Sequence, residues 1–421
     1  MWVFQRCRLL HLVCSPGSCL PHAQRPSRAR IHKDSPERGR CGVTATAAII
    51  TLHNSPNYGS CLQTYATQRV FESLGVAPTV VDYYRHDAIP ENETERALNG
   101  QLAKKLPILG LPGVKSLARV PVSRMVARRR APLDAFRREM LNLTPRKYYS
   151  AEELEADPPR ADVYVTGSDQ VWNSTWNCGF ERAFYLSYAP EGAEKIAYAA
   201  SIGKSTLDDW EKPLMREALL RYDAISVREP EAAELLDSIG VPGAVPVVDP
   251  TLMLGRPEWG ALSDGWVPDF PYLLVYQLNR NPEFDAYVQD VAAAAGLRVL
   301  RPAYGVHERR RGEEAVVCPS VGRFLSLFLN ASIVVTDSFH GTAFSVNLEK
   351  PFVAIAPERF SGRIGNLLAM TGLEGRLLSD YRDVALAAGD IDFAQARIAL
   401  ARERERALCF LRGALPTEFV E

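Results

Sequence analysis

Two spacings of apolar residues alternate along most of the chain. Short, fully apolar or β-branched runs are followed by longer stretches with an apolar position every three or four residues. That alternation is the mark of buried parallel strands joined by helices. The first run is Ala47-Ala-Ile-Ile-Thr-Leu52. A polar loop, His53 to Ser60, then leads into a predicted helix over 61–74, which Gly75 ends, and a predicted strand over 79–84. Further strands are predicted at 162–166, 195–202, 222–227, 272–276, 297–300, 333–335 and 352–355. Helices are predicted at 231–239, 282–295, 321–330 and 341–348. A last, charged helix over 393–411 places Phe393, Ala396, Leu400, Ala407, Leu408 and Leu411 in one stripe. The pattern predicts a two-domain α/β protein, with this helix packing back on the first domain.

Two segments break the pattern. Residues 1–43 are rich in Arg, His, Cys, Pro and Ser and show little periodicity. Their apolar patch, Leu9 to Cys14, is shorter and more polar than a signal-peptide core. They are expected to be a disordered leader, as a start codon placed too far upstream would produce, with a targeting peptide as the alternative. In the second segment, about 97–150, Lys104, Lys105, Lys115, Arg119, Arg124, Arg128, Arg129 and Arg130 are interleaved with Leu, Ile, Val and Pro. This reads as a basic helical insert. Such a face is more often simply solvated, and less often lies on an anionic membrane. The expected boundaries are 44–265 for the first domain, 266–390 for the second, with 256–269 as linker, and 391–421 for the final helix.

Composition narrows the classes. A chain of 421 residues is long enough for two cores. With 49 basic and 50 acidic side chains, it has no general attraction to nucleic acid. No apolar run approaches the ~20 residues of a membrane span. The eight cysteines include no CxxC pair, which argues against a zinc site and against a disulfide framework. A cytoplasmic setting is the simplest expectation.

The candidate chemistry gathers where predicted strands end. In Ser332 to Asn347, the run Ile333-Val-Val335 breaks at Thr336-Asp-Ser338 and resumes as a helix near Gly341. Free N–H groups at such a helix start make an anion site. His340 at that point suits proton transfer to a phosphate-bearing substrate, although a cap at His340 and packing at Gly341 would explain the same residues. Loops after Thr166, Ala200 and Val227 should share one rim of the sheet, the carboxyl edge where α/β proteins bind ligands. Arg228 on that rim offers a bidentate grip on a carboxylate or phosphate, or a salt bridge to a neighbour such as Glu229. Asn57, Gly59 and Ser60 either contact a substrate or only make the turn.

Several ordered motifs together resemble one family. They are Asn57-Tyr-Gly-Ser-Cys-Leu-Gln-Thr-Tyr-Ala66, Val165-Thr-Gly-Ser-Asp-Gln-Val-Trp-Asn173, Ala200-Ser-Ile-Gly203, Ile225-Ser-Val-Arg-Glu229, Val248-Asp-Pro-Thr-Leu252 and Thr336-Asp-Ser-Phe-His-Gly341. From about Ala47 to the last helix, the chain resembles a polysaccharide pyruvyl transferase. The resemblance implies a GT-B-like fold, with two Rossmann-like domains facing across a cleft. It implies phosphoenolpyruvate as donor and no cofactor or metal. The acceptor would be a sugar diol of a cell-surface glycan or its lipid-linked precursor, at the inner face of the membrane. His340 would then be catalytic, and the chemistry asks for a base, for which Asp169 is the candidate unless it only hydrogen-bonds the acceptor. Arg228, Ser338, Gly341, Thr342 and Arg363 would bind the donor, and Asn57, Tyr58, Gly59, Ser168 and Gln170 the acceptor. Many relatives carry arginine and leucine where this chain has Ser338 and Phe339, so a cation is lost there unless Arg363 or Lys204 supplies it. Two other readings are a GT-B glycosyltransferase using a nucleotide sugar, and a binding protein that has lost activity.

Overall fold

The computed structural model describes residues 45–100, 114–305, 308–357 and 362–416. The leader, Lys104, Lys105 and Ser361 lie outside them. In the first half, the elements in order are β1 (Thr46–Ile50), α1 (Tyr58–Ser73), β2 (Ala77–Tyr83), α2 (Pro90–Asn99), α3 (Val114–Met140), β3 (Leu143–Tyr148) and α4 (Ala151–Ala156). β4 (Val163–Thr166), β5 (Glu194–Ala200), α5 (Glu211–Leu219), β6 (Ala224–Val227), α6 (Pro230–Ser238), β7 (Val245–Pro246) and α7 (Arg256–Leu262) complete it. The second half holds β8 (Tyr272–Tyr276), α8 (Pro282–Ala295), β9 (Arg298–Ala303), β10 (Glu313–Val317), α9 (Val321–Asn330), β11 (Ile333–Thr336), α10 (Phe339–Asn347) and β12 (Phe352–Ala354). It closes with α11 (Gly362–Thr371), α12 (Ala385–Ala388) and α13 (Ala394–Ala414).

All strand pairs are parallel, in two sheets of order β3-β2-β1-β4-β5-β6-β7 and β10-β9-β8-β11-β12. Each sheet starts in its middle and winds outwards both ways, the doubly wound Rossmann order. The central strands are buried on both faces, as their unbroken apolar runs require: β4, β8 and β11 contain no exposed residue. Two sheets of this kind in one chain make the GT-B architecture. The last helix touches the first half, where Arg404 Nε donates to the Leu252 carbonyl at 2.6 Å.

Three features depart from the expected elements. The supposed linker contains α7, whose Trp259 is fully buried and donates from Nε1 to the Thr251 carbonyl at 3.2 Å. Strands β3 and β10 went unpredicted because they lie at sheet edges, where charged residues and proline are tolerated and the apolar run is lost. The basic insert pairs α3 with α2, joined by Arg130 to Glu93 at 3.0 Å. A continuous apolar core runs from α1 and β1 through Trp259, Phe324 and Phe344 to α13, so both halves belong to one unit, Val43–Glu421.

Candidate active site

In each sheet the chain reverses its direction of winding between two neighbouring strands, β1 and β4 in the first and β8 and β11 in the second. Loops at such switch points diverge and leave a crevice. In the first sheet Asn57 caps α1, accepting at Oδ1 from the Gly59 and Ser60 N–H groups at 2.8 and 3.3 Å. Ser60 then reaches across, and its Oγ donates to Asp169 Oδ2 at 2.5 Å. Asp169 holds a φ of 71°, in the left-handed region that a non-glycine residue rarely occupies. Its other oxygen accepts from the Gln170 N–H at 2.9 Å.

In the second sheet, Asp337 closes the switch point by accepting from the Leu278 and Asn279 N–H groups at 2.6 and 2.8 Å. Ser338 caps α10 by accepting from the Gly341 N–H at 3.3 Å. This leaves the Phe339 and His340 N–H groups with no acceptor inside the helix. The first turns of α1 and α10 meet. Gly59 lies so close to the His340 ring that a methyl group on it would overlap Nδ1, Cγ and Cε1. The glycine is needed here for close approach.

Around this contact stands a buried set of charges. Arg228 follows β6, donating from Nη1 to Asp249 Oδ2 at 2.7 Å and from Nε to Glu229 Oε1 at 3.2 Å. Its Nη2 lies 3.8 Å from Asp169 Oδ1. Asp249 also accepts at Oδ1 from the Thr251 N–H and hydroxyl at 2.9 and 2.7 Å, and His340 Nε2 is 3.9 Å from Asp249 Oδ2. The Phe339 ring lies 4.9 Å from the Arg228 guanidinium carbon and 5.8 Å from that of Arg363. Three buried nitrogens in this set, Arg228 Nη2, Arg363 Nε and His340 Nε2, have no hydrogen-bond partner. Beside Arg228, Phe339 and Arg363 opens a cavity of about 190 Å³, walled on its far side by Asn366, Glu403 and Arg406.

The charges shape one another. Burial alone would weaken Arg228 as a cation, but Glu229, Asp249 and Asp169 outweigh it and hold the guanidinium charged. Burial would likewise raise the Asp249 carboxyl, and Arg228, His340 and the Thr251 bonds bring it below its usual range. For His340 burial wins. It lowers the imidazole below its ordinary value, with Arg228 and Arg363 adding to the effect and Asp249 and Asp169 opposing it. The free site therefore holds a neutral imidazole at pH 7. An anion bound against Nε2 would reverse that balance, so anion binding near pH 7 should take up a proton. Calorimetry in buffers of different ionisation enthalpy measures this directly, and His340→Gln should abolish the uptake. The sign for stability follows as well. A histidine whose folded pKa lies below its unfolded value near 6.5 costs stability as pH falls through that value.

The candidates named from sequence fall into two groups. His340, Asp169, Arg228, Arg363, Asn57 and Gly59 come together at this point. Ser338, Gly341 and Thr342 build the start of α10: Thr342 Oγ1 is bonded to the Ser338 carbonyl at 3.1 Å, and Gly341 lies against Thr336. Tyr58 is 2% exposed, stacks on Phe324 at 4.4 Å and donates its hydroxyl to the Pro319 carbonyl at 2.6 Å. That makes it a core residue tying the halves together, with no face for an acceptor. Ser168 is fully buried, and the Gln170 side chain accepts from Asn173 at 2.7 Å. Lys204 is engaged by Asp208 and Glu211 at 2.8 and 2.5 Å, so of the two candidates for the missing cation Arg363 is the one beside Phe339. Sequence reasoning missed Asp249 and Glu229 as site residues. Asp249 lay in a motif already noted, but its carboxylate gains meaning only from Arg228 across the rim.

A sequence model of the polysaccharide pyruvyl transferase family matches residues 57–359, a span that holds every residue of the cluster except Arg363. The chain belongs to that family. No curated protein sequence matches it. Among solved structures, the chain is similar to the S. aureus MnaA–UDP complex, at 12% identity over 88% of this chain and 91% of that one, with a TM-score of 0.45. It is also similar to UDP-GlcNAc 2-epimerase from Neisseria meningitidis bound to UDP-GlcNAc, at 9% identity over 87% and 99%, with a TM-score of 0.46. A third is the spinosyn rhamnosyltransferase SpnG complexed with thymidine diphosphate, at 13% identity over 88% and 99%, with a TM-score of 0.43.

Proposed function

We propose that this family member transfers pyruvate from phosphoenolpyruvate to two hydroxyls of a sugar, forming a cyclic ketal and releasing phosphate. The acceptor is a cell-surface glycan or its lipid-linked precursor. The observation that carries this reading is the convergence of three unpartnered buried nitrogens, on Arg228, Arg363 and His340. Buried polar atoms left without partners are costly, and a small ligand with a carboxylate and a phosphate offers oxygens to both guanidiniums and to the imidazole once it is protonated. This chemistry does not require a metal.

The roles follow from the geometry. Arg228 and Arg363 hold the donor's anionic groups. Their positive charge is offset by Asp169, Glu229 and Asp249, so the empty site is not a bare cationic hole. The donor's own charge draws a proton onto His340, which then delivers it to the methylene carbon of the enol. One acceptor hydroxyl adds to C2, giving its proton to Asp169. The C2–O bond to phosphate then breaks, and the second hydroxyl adds to the same carbon and closes the ring, giving its proton to the imidazole of His340, neutral again after the first step. Asp169 suits the base role, because Ser60 and the Gln170 N–H fix it beside Arg228 without burying it in an ion pair of hydrogen-bond length. The nucleotide-sugar alternative wants a free carboxylate after a strand of the second half. Glu349, the residue just before Lys350-Pro351 and β12, is paired with Arg397 on α13 at 3.2 Å.

The test is phosphate release from phosphoenolpyruvate, with and without a mixed pool of free and lipid-linked oligosaccharides. Release that depends on acceptor is expected, and Arg363→Ala should raise the donor KM by about tenfold or more through loss of a charge-assisted contact. Absence of both release and donor binding would reject the reading.

A further inference from the structure

Helix α3 shows an outer face that the site does not use. Between Val114 and Leu133 it carries Lys115, Arg119, Arg124, Arg128, Arg129 and Arg130 and no acidic residue. Its inner face, Val122, Val126, Arg130 and Leu133, is buried against the domain. Arg119 and Arg130 are spent on Glu95 and Glu93. Arg124 and Arg128 are exposed and form no ion pair among the described residues. Beside them the apolar side chains of Leu117, Val120 and Met125 stand 80%, 54% and 43% exposed. At the helical repeat, Leu117, Val120, Arg124 and Arg128 share about a quarter of the circumference.

We propose that this face docks on an anionic lipid bilayer. Guanidinium groups flanking exposed apolar side chains match lipid phosphates above an acyl boundary, the arrangement of an interfacial helix. Two other occupants fit less well. In an isologous contact a second copy would bring Arg124 and Arg128 of both chains together, and a soluble polyanion would leave Leu117, Val120 and Met125 in water. The other side of the helix, turned towards the domain, reaches the candidate site. The Arg129 guanidinium carbon lies 4.4 Å from the Tyr304 ring centroid, and Tyr304 stacks at 6.0 Å on Tyr58, the first residue of α1 and neighbour of Gly59. On the function proposed above, the acceptor met at such a surface is a lipid-linked one. The docking itself does not depend on that function.

The experiment is cosedimentation of the full chain with vesicles of phosphatidylcholine alone or mixed with phosphatidylglycerol, at low and high salt. Binding is expected only to the mixed vesicles and should weaken with salt. The double variants Arg124→Glu/Arg128→Glu and Leu117→Ser/Val120→Ser should each lower it by about tenfold or more, while circular dichroism and turnover of a water-soluble acceptor stay unchanged. Equal binding to both vesicles, no binding, or either variant binding like the parent would overturn the proposal. So would light scattering that shows a dimer dissolved by Arg124→Glu/Arg128→Glu, which would assign the face to a second copy. Vesicle binding without phosphate release would count against the transferase reading alone.

Discussion

Replacing Gly59 by alanine should lower turnover about as far as removing the His340 imidazole, roughly 10²–10⁴-fold, with the protein still folded. The new methyl would occupy the space of the ring, and the ring has nowhere close to go. It is buried, with Phe339 edge-on at 5.3 Å on one side and Asp249 at 3.9 Å on another. His340 must therefore swing out of the cluster, taking the proton donor with it. A double-mutant cycle makes the argument specific. In a His340→Ala background the methyl has lost its target, so Gly59→Ala should cost little more. Losses that simply multiply would show that Gly59 acts through something other than His340. Thermal unfolding of each variant separates lost chemistry from lost structure.

Replacing Asp249 by alanine should destabilise the protein by about 3–5 kcal/mol, the cost typical of breaking a buried ion pair from one side. Asp249 is fully enclosed, and both of its oxygens are used, one by Arg228 and the other twice by Thr251. Its loss leaves the Arg228 Nη1 unpaired next to an Nη2 that already lacks a partner. Urea denaturation would measure the change. A loss below about 1 kcal/mol would mean that Glu229 and Asp169 can hold the guanidinium without help. Donor binding should partly rescue the variant, because an anion replaces the missing carboxylate.

The parts of this molecule that announce themselves in sequence are those set by local pattern. The helices Pro282–Ala295 and Val321–Asn330 have the bounds that periodicity predicts. His340, Arg228 and Asp169 stood out because each follows a buried strand, where the sheet's rim must lie. What stayed hidden depends on partners far along the chain. Gly59 looks like an ordinary turn residue until His340 is placed over it. Asp249, before a proline, has the look of a turn as well, and only the facing guanidinium gives its carboxylate a task. Tyr58 misled in the other direction, since a tyrosine in a polar loop suggests a sugar contact. Its ring is instead taken by Phe324 and Tyr304. The exposure of Leu117 and Val120 was likewise invisible, because a basic helix with apolar residues reads the same whichever face is covered.

The meeting of Gly59 with His340 bears on how such a protein can change over generations. One partner is contributed by the first sheet and the other by the second, and neither tolerates much freedom in the other's shape. A gene recombined between relatives at the boundary of the halves would inherit a histidine loop and a glycine loop that had never been fitted together. Most such hybrids would fold around an intact core and still be silent. The two loops are therefore expected to descend as a pair, and a substitution at 59 should be found only where 340 has changed as well.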